Sequence, residues 1–121
     1  MRCIFLIAAL LASATPVFAQ SLCVEPPIPA LVEGAGLTAD QMRAAMADAR
    51  NFIAQSGVYQ ECLMKEVEAA KTQAATASQP FDPSIEASAR AKADASQKAQ
   101  EKVSAAANGA MAAYKNAHHS N

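Results

Sequence analysis

From Gln20 onward, 26 of 102 positions are alanine, and that bias constrains the fold more than any motif does. Alanine loses no side-chain entropy in a helix, so long alanine-rich tracts favour helix. It also buries little apolar area; large apolar side chains are few in this chain and tryptophan is absent. Burial stabilises by only about 25 cal/mol per Å² of apolar surface. Such a chain forms helices readily and closes a core with difficulty, so a covalent brace or a partner has to make up the difference.

The brace is visible. Arg2 and the apolar run Ile4–Ala12 lead into Pro16-Val17-Phe18-Ala19, small or modest residues at the places a signal peptidase reads. The run is too short to span a bilayer permanently. Residues 1–19 therefore predict a signal peptide cleaved before Gln20, placing the protein in the periplasm or outside the cell; a retained N-terminal anchor is the competing reading. Gln20-Ser21-Leu22-Cys23 lacks the small residue expected just before a lipidated cysteine. Cys3 would leave with the leader. Cys23 and Cys62 then permit a single intramolecular pairing. In the chain-entropy picture, closing that loop contributes roughly 3–4 kcal/mol. Reactive dithiols sit in close Cys-x-x-Cys spacing, so this widely spaced pair predicts a structural disulfide.

Residues 20–37 carry Glu25-Pro26-Pro27-Ile28-Pro29, then Gly34 and Gly36. Proline fixes φ and removes donors, which predicts an extended, polyproline-like arm with Ile28, Leu31 and Val32 packed on a helix. Thr38 with Gln41 three residues later forms a capping-box pattern at a helix start. The stripe Met42, Met46, Ala49, Ile53, Ser56, Leu63, Val67 and Ala70, flanked by Phe52, Tyr59 and Cys62, predicts one helix over 39–76. A break at Gly57 is the alternative, since glycine costs about 1 kcal/mol inside a helix. Asp82-Pro83 predicts the next start, an acceptor followed by proline at the first helical position. The second helix is expected over 83–115, with a thin face of Ile85, Ala89, Ala93, Ser96, Ala99 or Gln100, Val103, Ala106, Ala110 and Tyr114. Glu86, Arg90, Asp94 and Lys98, each four apart, line its solvated side. Residues 116–121 are expected to fray.

No phosphate loop, zinc-protease helix, haem attachment motif or calcium loop occurs. Glu61, Glu66 and Glu68 form no convincing acid–base pair, and a small exported enzyme lacks a residue set. Met42 and Met46, with Met64 nearby, and the adjacent His118 and His119 are the weak metal-ligand candidates; thioether and imidazole ligate soft transition metals. Helical spacing makes packing the better account of the methionines. Phe52 and Tyr59 are candidate interaction residues, because an aromatic ring at a surface anchors partners; for Tyr59 a partly buried ring covering the arm is the commoner arrangement. Beyond residue 19, nine basic side chains stand against eleven acidic ones, so no basic field exists for nucleic acid. Membrane-surface contact by the first helix competes with its role in closing the core.

The expected fold is all-α: an antiparallel helical hairpin over 38–115, with the 20–37 arm stapled to it by Cys23–Cys62. The expected role is a non-catalytic structural or protein-interaction module, without a cofactor, that meets a protein partner or a second copy. A periplasmic metal-binding protein using Met and His is the alternative reading.

Overall fold

A computed structural model describes residues 22–119. The predicted signal peptide, its cleavage site, the first two arm residues and the last two tail residues lie outside the described residues. An extended segment from Leu22 leads through a 3-10 turn, Gly34–Gly36, into α1 (Ala39–Thr76) and α2 (Pro83–His118). Among the described residues there is no strand, and no helix is long and apolar enough to cross a membrane.

Local chemistry sets the helix ends. Thr38 Oγ1 accepts from the Gln41 N–H at 3.2 Å while Gln41 Oε1 accepts from the Thr38 N–H at 2.9 Å, so the capping box closes both ways. At the other end of α1 the Gln79 N–H reaches the Ala74 carbonyl at 2.9 Å and the Ser78 N–H reaches Ala75 at 3.1 Å. This is the paired bonding of a Schellman turn, with Ser78 at φ 52° in the left-handed position usually held by glycine. Asp82 then caps α2, its carboxylate accepting from the Ser84 N–H at 2.9 Å. That bond holds the Asp82 carboxyl below its ordinary pKa.

α1 runs unbroken through Gly57, which is exposed and has no atom near its missing Cβ. The adjacent Ser56 is fully buried. Tertiary packing on both sides of the glycine thus overrides its propensity cost. α2 continues to His118, three residues beyond the expected end. The extra turn holds because the Tyr114 and His118 rings stack at 4.1 Å and Lys115 and His118 complement the carbonyl end of the helix.

The helices divide the core unequally. α1 supplies the bulk, Met42, Phe52, Tyr59, Leu63 and Val67. α2 buries Ala89, Ser96, Val103 and Ala110, each seven residues from the last. Tyr59, Leu63 and Val67 gather on Ala89 near the turn, and Ala49 and Phe52 on Val103 further along. Between these clusters Gln60 Nε2 donates to Ser96 Oγ at 3.2 Å. Small residues on α2 let large ones on α1 reach its backbone, which is how an alanine-rich helix finds a partner.

Two expectations on the apolar faces are corrected. Ile85 is 40% exposed; Phe81, from the linker, packs on the turn-side cluster in its stead. Ile28 and Leu31 also face outward. Inward positions of the arm instead fall at Cys23, Pro26, Pro29 and Val32. That interval of three is the turn of a polyproline helix, so the neighbours of each inward residue are carried outside.

A small ionic group ties the turn. Lys71 Nζ lies 3.0 Å from Glu86 and 3.3 Å from Glu68, and 5.6 Å from the centre of the Phe81 ring. Glu86 also accepts from Arg90. Arg90 and then Lys71 hold the Glu86 carboxyl below its ordinary pKa, and Glu86 raises Lys71.

Candidate functional site

The arm is clamped at both ends. Cys23 and Cys62 are bonded, with Cα atoms 5.7 Å apart, and the Leu22 N–H donates to Glu66 Oε1 at 2.7 Å. At the far end Gly34 touches α2: a Cβ there would lie 1.7 Å from the Ala110 carbonyl oxygen. The arm therefore runs antiparallel to α1 from Glu66 back towards Thr38, over the seam of the hairpin. The lengths match. The twelve extended residues 22–33 cover about 37 Å at 3.1 Å each and the 3-10 turn adds about 6 Å at 2.0 Å per residue, against about 42 Å for the stretch of α1 from Thr38 to Glu66 at 1.5 Å per residue. A helical arm could not reach. Beneath the arm only a small apolar cavity of about 20 Å³ remains, lined by Pro29, Val32, Met42, Ala49, Val103 and Ala110 among others.

The clamp presents apolar side chains outward. Leu22 is 89% exposed, Val24 84% and Val58 68%. Val58 sits one helical turn before Cys62, and Leu22 and Val24 flank Cys23, so all three surround the disulfide. Ile28 and Leu31 extend this exposed row along the arm. Glu25 and Glu33 are the arm's charged residues and both are exposed.

The candidate interaction rings are corrected. Phe52 and Tyr59 are 5% and 6% exposed and belong to the core clusters. Their helical stripe positions outweighed any surface role. Burial, then the charges of Glu25 and Glu66, raise the Tyr59 hydroxyl pKa. Glu61 is exposed and ion-paired with Lys65 at 2.7 Å. The Lys65 hydrogen bond lowers the Glu61 pKa.

The metal-ligand candidates separate in part. Met42 is buried and Met46 half-buried, and both line an open groove of about 260 Å³ between the start of α1 and the end of α2. Met111 and Tyr114 line it too, with Arg43 and Arg50. Met64 is not in that lining. His118 stacks on Tyr114 and its Nδ1 lies 2.8 Å from the Tyr114 carbonyl oxygen; His119 is exposed. Among the described residues, the group of three close potential ligand atoms is Cys23, Cys62 and Glu66, whose sulfurs are bonded to each other. Sequence reasoning missed Met111. The signal was its place at the edge of the expected face of α2, between Ala110 and Tyr114, at the end that an antiparallel hairpin sets against Met42.

No family model, curated protein or solved structure matches this chain, so its own geometry carries the functional argument.

Proposed function

We propose that the protein is an exported, non-catalytic interaction module whose disulfide-pinned arm is the recognition element. The observation that carries this reading is the outward row Leu22, Val24, Ile28, Leu31 and Val58 on a rigid, doubly clamped scaffold. A chain short of core material that still leaves these side chains in water marks an interaction surface. Fixing the arm in advance removes much of the ordering cost of binding. The leader-like N-terminus and the disulfide, which persists in oxidising compartments, support a periplasmic or secreted location. The seven-residue seam supports describing the hairpin as an antiparallel coiled coil.

The partner that fits is a protein with an apolar patch edged by lysine or arginine. Residues 22–37 include Glu25 and Glu33 and no basic side chain, and a second copy docked on the same row would set these like charges near one another. Photo-crosslinking in the producing cell tests the reading, with the reactive group placed at Val24 or, as control, at Lys98 on the solvated side of α2. A discrete hetero-adduct is expected from position 24 only, and is lost with Cys62→Ser. The same adducts from both positions, or none from either, would sink the proposal. An adduct of twice the chain mass would assign the row to self-association.

A further inference from the structure

The groove at the open end of the hairpin offers something different from the arm. Its base is thioether: Met42 and Met46, one turn apart on α1, and Met111 on α2, with Tyr114 as a wall. Methionine side chains are unbranched and polarizable, and fit apolar bodies of varied shape. Two guanidinium groups share this lining. Arg43 is paired with Asp40 at 2.6 Å, but both are largely in water, where such a pair is weak and readily exchanged. Arg50 is exposed and makes no hydrogen bond or ion pair among the described residues, and the groove lining includes no acidic residue. In a protein of net charge -1, an apolar hollow bordered by two arginines is a local reversal of sign.

We propose that this groove binds a small amphiphilic anion, a carboxylate head carried on a short apolar body. The guanidinium fork matches a carboxylate with two parallel hydrogen bonds, while the methionines and Tyr114 take the tail. The volume of about 260 Å³ suits a short acyl chain or a single ring; drug-sized ligands need about 300–1,000 Å³. A soft cation is the poorer fit. Two positive groups, Arg43 and Arg50, border the space and repel a cation. This assignment is independent of the arm's role.

The test uses the oxidised protein with ¹³C-labelled methionine methyl groups, titrated with sodium decanoate and, for comparison, decanol and decyltrimethylammonium. Saturable shifts are expected at Met42, Met46 and Met111, with Met64 unmoved. Changing both exposed arginines, Arg43→Gln with Arg50→Gln, should weaken decanoate about tenfold and leave decanol unaffected, as loss of charge-assisted bonds to the head requires. Equal binding of the ammonium amphiphile would overturn the proposal, as would parallel shifts at Met64 or no shift at all. Movement of the same three methyls by Cu(I), with decanoate silent, would replace it with thioether metal ligation.

Discussion

Replacing glycine by alanine at three positions should move stability in opposite directions, and the sign at each follows from the geometry. At Gly34 the new Cβ would fall 1.7 Å from the Ala110 oxygen, 2.5 Å from its carbonyl carbon and 3.0 Å from its Cα. Carbon–oxygen contacts settle near 3.3–3.6 Å, so the two backbones must part by about 1.5–2 Å at that point. α2 is held by its own hydrogen-bond ladder, so the arm must yield. It has little slack, being tied upstream by the disulfide and downstream by the Thr38 capping box. Overpacking of this kind costs about 1–3 kcal/mol, and contact with backbone rather than a mobile side chain puts Gly34→Ala at the upper end. At Gly57 and Gly109 nothing lies within 4 Å of the added carbon and both are inside helices. There alanine should stabilise by about 1 kcal/mol each. Urea unfolding of the oxidised protein, followed by far-ultraviolet circular dichroism, reads all three. With a slope near 1–3 kcal/mol per M, a loss of about 2 kcal/mol lowers the midpoint by about 1 M. A Gly34→Ala midpoint equal to or above that of the parent would refute the docked arm. A lower midpoint for Gly57→Ala would refute the unbroken helix.

Ser78→Gly should raise the melting temperature. An L-residue in the left-handed region costs about 1–2 kcal/mol, and glycine's greater freedom when unfolded returns part of this, leaving a gain of about 0.5–1 kcal/mol. Ser56→Ala should also stabilise: its hydroxyl is buried without a hydrogen-bond partner, and removing such a group recovers about 1 kcal/mol; a lower midpoint in urea would show that the oxygen is satisfied. Reducing the disulfide, or Cys62→Ser, should cost roughly 3–4 kcal/mol, and an unchanged melting curve would contradict a structural role. Stability should fall as acid protonates Asp82, Glu86 and Glu61. Their folded pKa values lie below the ordinary 3.8 and 4.5, so their contribution is full above the unfolded pKa and is lost as pH drops through the folded one. Lys71, raised above 10.5, contributes below that pH and loses its share as pH climbs through its folded value. Thermal melts of Glu86→Gln against pH should show a shallower acid limb than the parent; parallel curves would exclude Glu86 as a contributor.

Much of the fold was legible in residues 38–83 because the signals there are local. A capping box needs only Thr38 and Gln41, a cap with its proline only Asp82 and Pro83, and both form as expected. The seven-residue spacing from Met42 to Leu63 carried α1 across Gly57, since a periodic face registers packing that propensity does not. The arm was less legible. Its polyproline character was apparent, but the three-residue phase that turns Ile28 and Leu31 outward depends on Cys23 as an inward anchor. With that phase applied, Pro26, Pro29 and Val32 would have been found, and the exposed row with them.

The sequence by itself determined the helices, their caps, the turn between them and the pairing of Cys23 with Cys62. Each depends on chemistry within a few residues or on counting cysteines. Tertiary structure alone decided which apolar residues are covered. Phe81 displaced Ile85, Ile28 and Leu31 turned outward, and Gly34 seated the arm on Ala110. Those outcomes depend on distances between segments far apart in the chain, where a small residue on one helix admits a large one on the other. The same reason placed Met111 beside Met42 and Met46 and two arginines around them: an antiparallel pairing brings together side chains that no local pattern connects.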